Sequence, residues 1–237
     1  MSSAVERALA ALPTVDAWWT AARIADALRT DRPLADAAFD RLYPDEARAR
    51  SAVHWTPVDV ARRAAELLAV RPGMRLLDVG SGVGKMCIVG ALTTAAHWTG
   101  IERRADLCEI ARATAAALGA ETNTTFSWAN FLTADWTRFD GLYLYNPIGS
   151  LAADCAGEDS WTRLCAYRDG VLLLQSKLRT VRAGARVVTY HGIGGPMPAM
   201  FSRVASCAAG TDELVVWVRH GGSRRRVTEE PPAYADW

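Results

Sequence analysis

The chain has 237 residues, half of them hydrophobic, and a formal net charge of +1. That length suits one α/β domain with a small appendage, and the hydrophobic share supports a large core. The near-zero charge argues against a dominant attraction to nucleic acid or membrane, and no apolar run is long enough to span a bilayer. The five cysteines form no C-x-x-C pair, and their odd count speaks for reduced thiols and a cytoplasmic location. His54, His97, His191 and His220 lie far apart, which argues against a metal site.

In chain order, residues 1–55 are helical in pattern. Met1–Leu12 reads as an amphipathic helix without the features of a signal sequence. Asp16–Leu28 carries apolar residues at Trp18, Ile24, Ala25 and Leu28, and Pro33 can start another short helix. Pro44 restarts the chain after Tyr43. Thr56-Pro57 reads as an N-cap followed by Pro at the first helical position, with the helix running to about Val70. Arg71-Pro72-Gly73 is a loop.

From there strands and helices alternate. Strands are predicted at Arg75–Val79, His97–Ile101, Thr125–Trp128, Gly141–Tyr145 and Ala185–Tyr190. Helices fall at Lys85–Ala95, Ala105–Leu118 and Ser160–Val181, the last interrupted at Gly170. Arg203–Ser206 and Leu214–Val218 form a closing antiparallel pair. Such alternation implies a parallel sheet covered on both faces. The expected units are a helical N-terminal extension or lid over 1–55, the main domain over 56–220 and a mobile tail over 221–237.

The chemistry starts at Leu76-Leu77-Asp78-Val79-Gly80-Ser81-Gly82-Val83-Gly84. An apolar run ends in an acid, then glycines recur at alternate positions. This is how a buried strand turns into a helix around a ligand, with free N–H groups facing it. The dinucleotide fingerprint would need Gly where Lys85 stands, and a phosphate-binding P-loop would need Gly where Val79 stands. Asp78 can accept hydrogen bonds from the loop backbone or approach a cationic ligand. Lys85, at the start of the next helix, reads as solvated. Strand two ends in Ile101-Glu102, and a carboxylate there suits two ribose hydroxyls. Strand four runs into Tyr145-Asn146-Pro147, and strand five into Tyr190-His191-Gly192.

The acid-before-glycines run resembles motif I of class I S-adenosyl-L-methionine (SAM) dependent methyltransferases. The alternating pattern with its closing pair is similar to that class too. The fold class is therefore α/β: a seven-stranded Rossmann-like class I methyltransferase sheet, last strand antiparallel, with helices on both faces. Thr56 to about Gly149 looks like the non-SET histone-lysine methyltransferase branch, on Asp78–Gly84, Gly100-Ile101-Glu102, Asn130-Phe131-Leu132, Asp135-Trp136 and Tyr145-Asn146. The near-zero net charge and the lack of a Lys-rich extension do not imply a histone substrate.

The resemblance implies SAM as cofactor and S-adenosyl-L-homocysteine as product. It implies a cofactor site of Thr56, Asp78, Gly80, Ser81, Gly82, Gly84, Glu102, Arg103, Asn130, Phe131 and Asn146. Asn130 stands where the family commonly has an acid for the adenine amino group, and Phe131 can stack on the base. Asn146-Pro147 is similar to the Asn-Pro-Pro-Tyr motif of nitrogen-directed methyltransferases, but Ile148 and Gly149 replace its last two residues. Asn146 and Tyr145 are the expected catalytic residues, with His191 as a base or positioning group. Trp55 is a candidate for a lid or acceptor pocket, whereas core packing is the simpler role for Trp18 and Trp19. The implied reaction is methylation of an amine nitrogen, on a protein side chain or a small molecule. An O-methyltransferase of a small metabolite and a non-catalytic SAM-binding partner subunit are the alternatives. Nothing in the sequence identifies the acceptor or an oligomeric state.

Overall fold

The computed structural model describes residues 19–49, 55–149 and 159–221. The expectations for Met1–Leu12, Trp18, His54 and the tail beyond Gly221 lie outside the described residues. The chain begins with short helices α1 (Ala21–Arg29), α2 (Asp36–Asp40) and α3 (Asp45–Arg48), then α4 (Val58–Leu68). It continues through β1 (Arg75–Val79), α5 (Lys85–Thr93), β2 (His97–Glu102), α6 (Ala105–Ala117), β3 (Thr124–Trp128) and β4 (Gly141–Tyr145). The last elements are α7 (Ser160–Thr180), β5 (Arg186–Tyr190), β6 (Phe201–Ala209) and β7 (Asp212–Arg219).

The described strands form one seven-stranded sheet in the order β3-β2-β1-β4-β5-β7-β6. Strands β1 to β5 pair in parallel, and β7 is antiparallel to both its neighbours. The strand order reverses at β1, which lies between β2 and β4, so the crevice used for ligands in such sheets opens at its carboxyl end.

Strand alternation sorts the core. Leu76, Tyr143 and Val188 pack on one face with α1, α4 and α5, through Ile24, Leu28, Leu68 and Ile88. Leu77, Val79, Leu142, Leu144 and Val187 pack on the other with Val171, Leu174 and Leu178 of α7. Each fully buried Leu or Val contributes about 2 kcal/mol. Asp78 shares the first face by the same alternation.

Four expectations need correction. Gly170 does not interrupt α7; it is buried within a continuous helix whose N-cap Asp159 accepts from the Trp161 and Thr162 amides. A helical glycine costs only about 1 kcal/mol, and its buried neighbours Val171, Leu174 and Leu178 offset that. Thr56 does not cap α4. Pro57 is the N-cap, and the first helical amide, Val58 N–H, donates to Asp36 Oδ1 at 2.8 Å. Thr56 instead turns its hydroxyl to the Tyr143 hydroxyl at 3.0 Å. Helix α2 starts at Asp36, not at Pro33, because Leu34 is first taken into the core.

The fourth correction concerns Lys85, which is buried. Its Nζ donates to Asp36 Oδ1 and Asp40 Oδ1, both at 2.6 Å, and lies 5.5 Å from the Phe39 ring centroid. One carboxylate, Asp36, thereby joins α2, the start of α4 and the start of α5. Removing the cation would break its buried ion pair with Asp40, and breaking such a pair costs about 3 kcal/mol. Lys85→Met is expected to lower the unfolding free energy by that amount in urea titrations.

Candidate active site

The β1–α5 turn holds Gly80, Gly82 and Gly84 at φ +78°, +53° and +79°. A side chain at Gly84 would meet the Phe126 ring at 2.6 Å, whereas Gly80 and Gly82 face open space. The turn therefore packs tightly on its inner side and stays bare on its outer side. The Gly80 and Ser81 amides donate to Ile101 O at 2.9 and 3.1 Å, and the Gly82 amide donates to Glu102 Oε2 at 3.0 Å. Glu102 Oε1 accepts from the Arg104 amide at 2.9 Å. Glu102 thus pins the turn, and each of its oxygens keeps a further lone pair.

Asp78 is not what these amides bond to. Its carboxylate lies below the turn, 4% exposed, with the Cys87 thiol 3.7 Å from Oδ2. Burial raises its pKa from 3.8 to about 7; the Cys87 hydrogen bond opposes this and the Glu102 charge adds to it. Asp78 lines a cavity of about 60 Å³ with Trp55, Thr56, Gly80, Ser81, Gly82, Tyr143 and Tyr145. A space of that size takes one end of a ligand, and the rest would lie along the open rim past Glu102. Ser81 Oγ and Asn146 Oδ1 are buried without a hydrogen-bond partner among the described residues. Such atoms are rare in folded proteins and mark places where a ligand or water supplies the partner.

At the end of β3, Asn130 is exposed and its Oδ1 accepts from the Leu132 amide at 2.9 Å. Phe131 corrects the stacking expectation. Its ring is 6% exposed in the core facing α7, and its carbonyl accepts from the Trp136 indole. The exposed aromatic is Trp128, 69% accessible, paired across the sheet with Glu102 and donating to Arg103 O at 3.0 Å. Arg103 itself is exposed beside it. Trp128 was legible as the last residue of strand three, where a side chain projects past the sheet edge.

Strands β4 and β5 bring the remaining residues together. Tyr145 pairs with Tyr190 in the sheet and stacks on His191, ring centroids 5.3 Å apart at 24°. Burial raises the Tyr145 pKa. Asn146 takes φ +35° and His191 φ +54°. His191 Nδ1 lies 2.8 Å from Asp212 Oδ2, a partner the sequence reading missed because the closing strands were drawn too short. Thr56 lies on the inner wall with Tyr143. No cluster of His, Cys, Asp or Glu among the described residues has the makings of a metal site. Among them, no helix is long and apolar enough to cross a membrane.

Known proteins share this architecture. The chain has the fold of class I SAM-dependent methyltransferases. An RNA methyltransferase from Salinibacter ruber, solved with S-adenosyl-L-homocysteine, superposes with TM-score 0.54 at 22% identity over 73% of this chain and 99% of that one. TrmN from Thermus thermophilus gives TM-score 0.55 at 20% identity over 77% of this chain and 53% of that one. A putative O-methyltransferase from Klebsiella pneumoniae gives 0.53 at 15% over 87% and 99%.

In sequence, the family model for protein-L-isoaspartate(D-aspartate) O-methyltransferase matches residues 27–135. A protein-L-isoaspartate O-methyltransferase of Methylorubrum populi is 54% identical over 54 residues, 23% of this chain. The chain thus matches a quarter of that relative's length, 25%.

The raised Asp78 pKa has a defined consequence for stability. The native state holds this proton more tightly than the unfolded chain. Its stabilising contribution is therefore full below pH 4 and is lost as pH rises through about 7. The loss is on the order of 4 kcal/mol. Asp78→Asn is expected to gain stability relative to the parent between pH 5 and pH 8, measured by urea unfolding at both values.

Proposed function

We propose that the chain is a SAM-dependent methyltransferase that transfers a methyl group to an amine nitrogen, on a protein side chain or a small molecule. When bound, SAM supplies a methyl carbon activated by a cationic sulfur and leaves as S-adenosyl-L-homocysteine. The residues fit that group. Gly80 and Gly82 present bare backbone, Asp78 offers a carboxylate to the cationic end, and Ser81 Oγ lacks a partner among the described residues. Asp78 with Gly80, Ser81, Gly82 and Gly84 would hold the methionine end, and Glu102 the ribose. Asn130, Arg103 and the Trp128 face would border the adenine, with Trp128 in the stacking role expected of Phe131. Thr56 and Trp55 would close the inner wall of a SAM-binding domain over 56–220.

The observation that carries the acceptor reading is Asn146 Oδ1, buried and without a hydrogen-bond partner among the described residues. A carbonyl oxygen takes an N–H. An amine offers one and a carboxylate does not. Asn146, next to Tyr145, would hold the amine hydrogens, point its lone pair at the methyl carbon and stabilise the charge growing on nitrogen.

Transfer to a carboxylate oxygen is the second reading, supported by the isoaspartate O-methyltransferase family model. That match ends at residue 135, before Tyr145, Asn146 and His191. It therefore bears on the cofactor half of the chain and not on the acceptor half.

Incubation with methyl-labelled SAM and a fractionated extract of the source cells tests both readings. Label stable to mild base supports an N-methyl product, and label released as methanol supports a carboxyl ester. SAM binding with no label in any fraction would favour a non-catalytic partner subunit. Asp78→Ala is expected to lose SAM binding. Asn146→Ala is expected to keep binding and lose turnover by about 100-fold; unchanged turnover would contradict the mechanism.

A further inference from the structure

Tyr145 and Tyr190 are the last paired residues of β4 and β5, so Asn146 and His191 leave the sheet side by side. Both have positive φ, and Asp31 is the only other described non-glycine residue that does. Such backbone is strained and persists where the surroundings hold it. For His191 the holding element is the β6–β7 hairpin. Gly210 takes φ +54° in its two-residue turn, and a side chain there would meet the Tyr190 hydroxyl at 2.7 Å. The Thr211 amide and hydroxyl both lie 3.2 Å from the same hydroxyl. The hairpin is thereby locked to the end of β5, and it delivers Asp212 to His191.

We propose that Asp212 fixes His191 in its Nδ1–H form, so that Nε2 takes the proton a nitrogen acceptor gives up. The inference rests on the methyltransferase reading above. A carboxylate only accepts, so the 2.8 Å contact puts a proton on Nδ1, and in the neutral imidazole the lone pair is then on Nε2. Nε2 lies 3.4 Å from Thr211 Oγ1, long for a hydrogen bond. The imidazole is 32% exposed, and its face rests on Tyr145, which lines the cavity. It therefore stands directly behind the cavity wall, one ring from the cavity itself. The titratable groups facing it are Asp212 from β7, Tyr145 from β4 and Tyr190 from its own strand.

The dyad deepens the acceptor assignment. A carboxylate acceptor is already ionised at neutral pH and has no proton to lose. A fixed base serves an acceptor that arrives as an ammonium. The ammonium proton passes to Nε2 and frees the nitrogen lone pair. That pair forms the bond to the methyl carbon while the C–S pair leaves on the donor's sulfur, and Nε2 then returns its proton to water. Asp212 is a positioning residue and His191 the catalytic base.

Two measurements on the full chain test this. Imidazole ¹⁵N shifts of neutral His191 are expected to show the Nδ1–H form in the wild type and mainly the Nε2–H form in Asp212→Ala, with no substrate present. An Nε2–H wild type would overturn the proposal. In label transfer from methyl-labelled SAM to a cell extract, Asp212→Ala is expected to keep SAM affinity. It should lose at least tenfold in kcat at neutral pH and recover as pH rises and the acceptor deprotonates by itself. Transfer by the wild type with a pH profile unmoved in Asp212→Ala overturns the dyad alone. A wild type that binds no SAM overturns the methyltransferase reading instead.

Discussion

Between Val79 and Lys85 the chain must turn from a buried strand into a buried helix within five residues, and three of them sit at positive φ. Gly84 has a ring against its α-carbon, so no side chain fits. Glu102 and the Ile101 carbonyl hold the turn from β2. This single constraint sets where α5 begins, and so where Lys85 goes. Lys85 in turn gathers Asp36 and Asp40, which seat the N-terminal helices and the start of α4. The bare outer face of the turn, the buried Asp78 beneath it and the Trp55–Thr56 wall beside it are consequences of one backbone geometry.

The strand ladder and the glycine turn were legible because both are local signals. Apolar runs that end in an acid and glycines mark a strand and its turn wherever they occur in a parallel sheet. Strands β1 and β4 were accordingly read to the residue. Contacts between distant segments were not legible. Lys85 looked like an ordinary surface lysine because its countercharges lie 49 and 45 residues away. Thr56 had the pattern of a cap, yet Asp36 performs that task from another helix. Phe131 is buried and Trp128 exposed because a three-residue difference along a strand exit decides which ring enters the core.

The acceptor side shows the same limit. Asn146 and His191 were visible as strand-end residues, but their shared positive φ and their adjacency follow from the parallel pairing of β4 and β5. Asp212 became a partner only through the hairpin that packs Gly210 and Thr211 against Tyr190. The β1–α5 end of the cleft thus rests on one local turn. The β4–β5 end rests on a set of aromatic and polar contacts beyond residue 135, outside the stretch the family model matches.

The central claim is that the cleft at the end of β1 is a SAM site. Calorimetric titration of the full chain with SAM, S-adenosyl-L-homocysteine and NADH tests it most directly. The account predicts one equivalent of SAM or its product bound, no heat from NADH, and loss of the signal in Asp78→Ala. Binding of NADH in place of SAM, or SAM bound equally well without the Asp78 carboxylate, would contradict it.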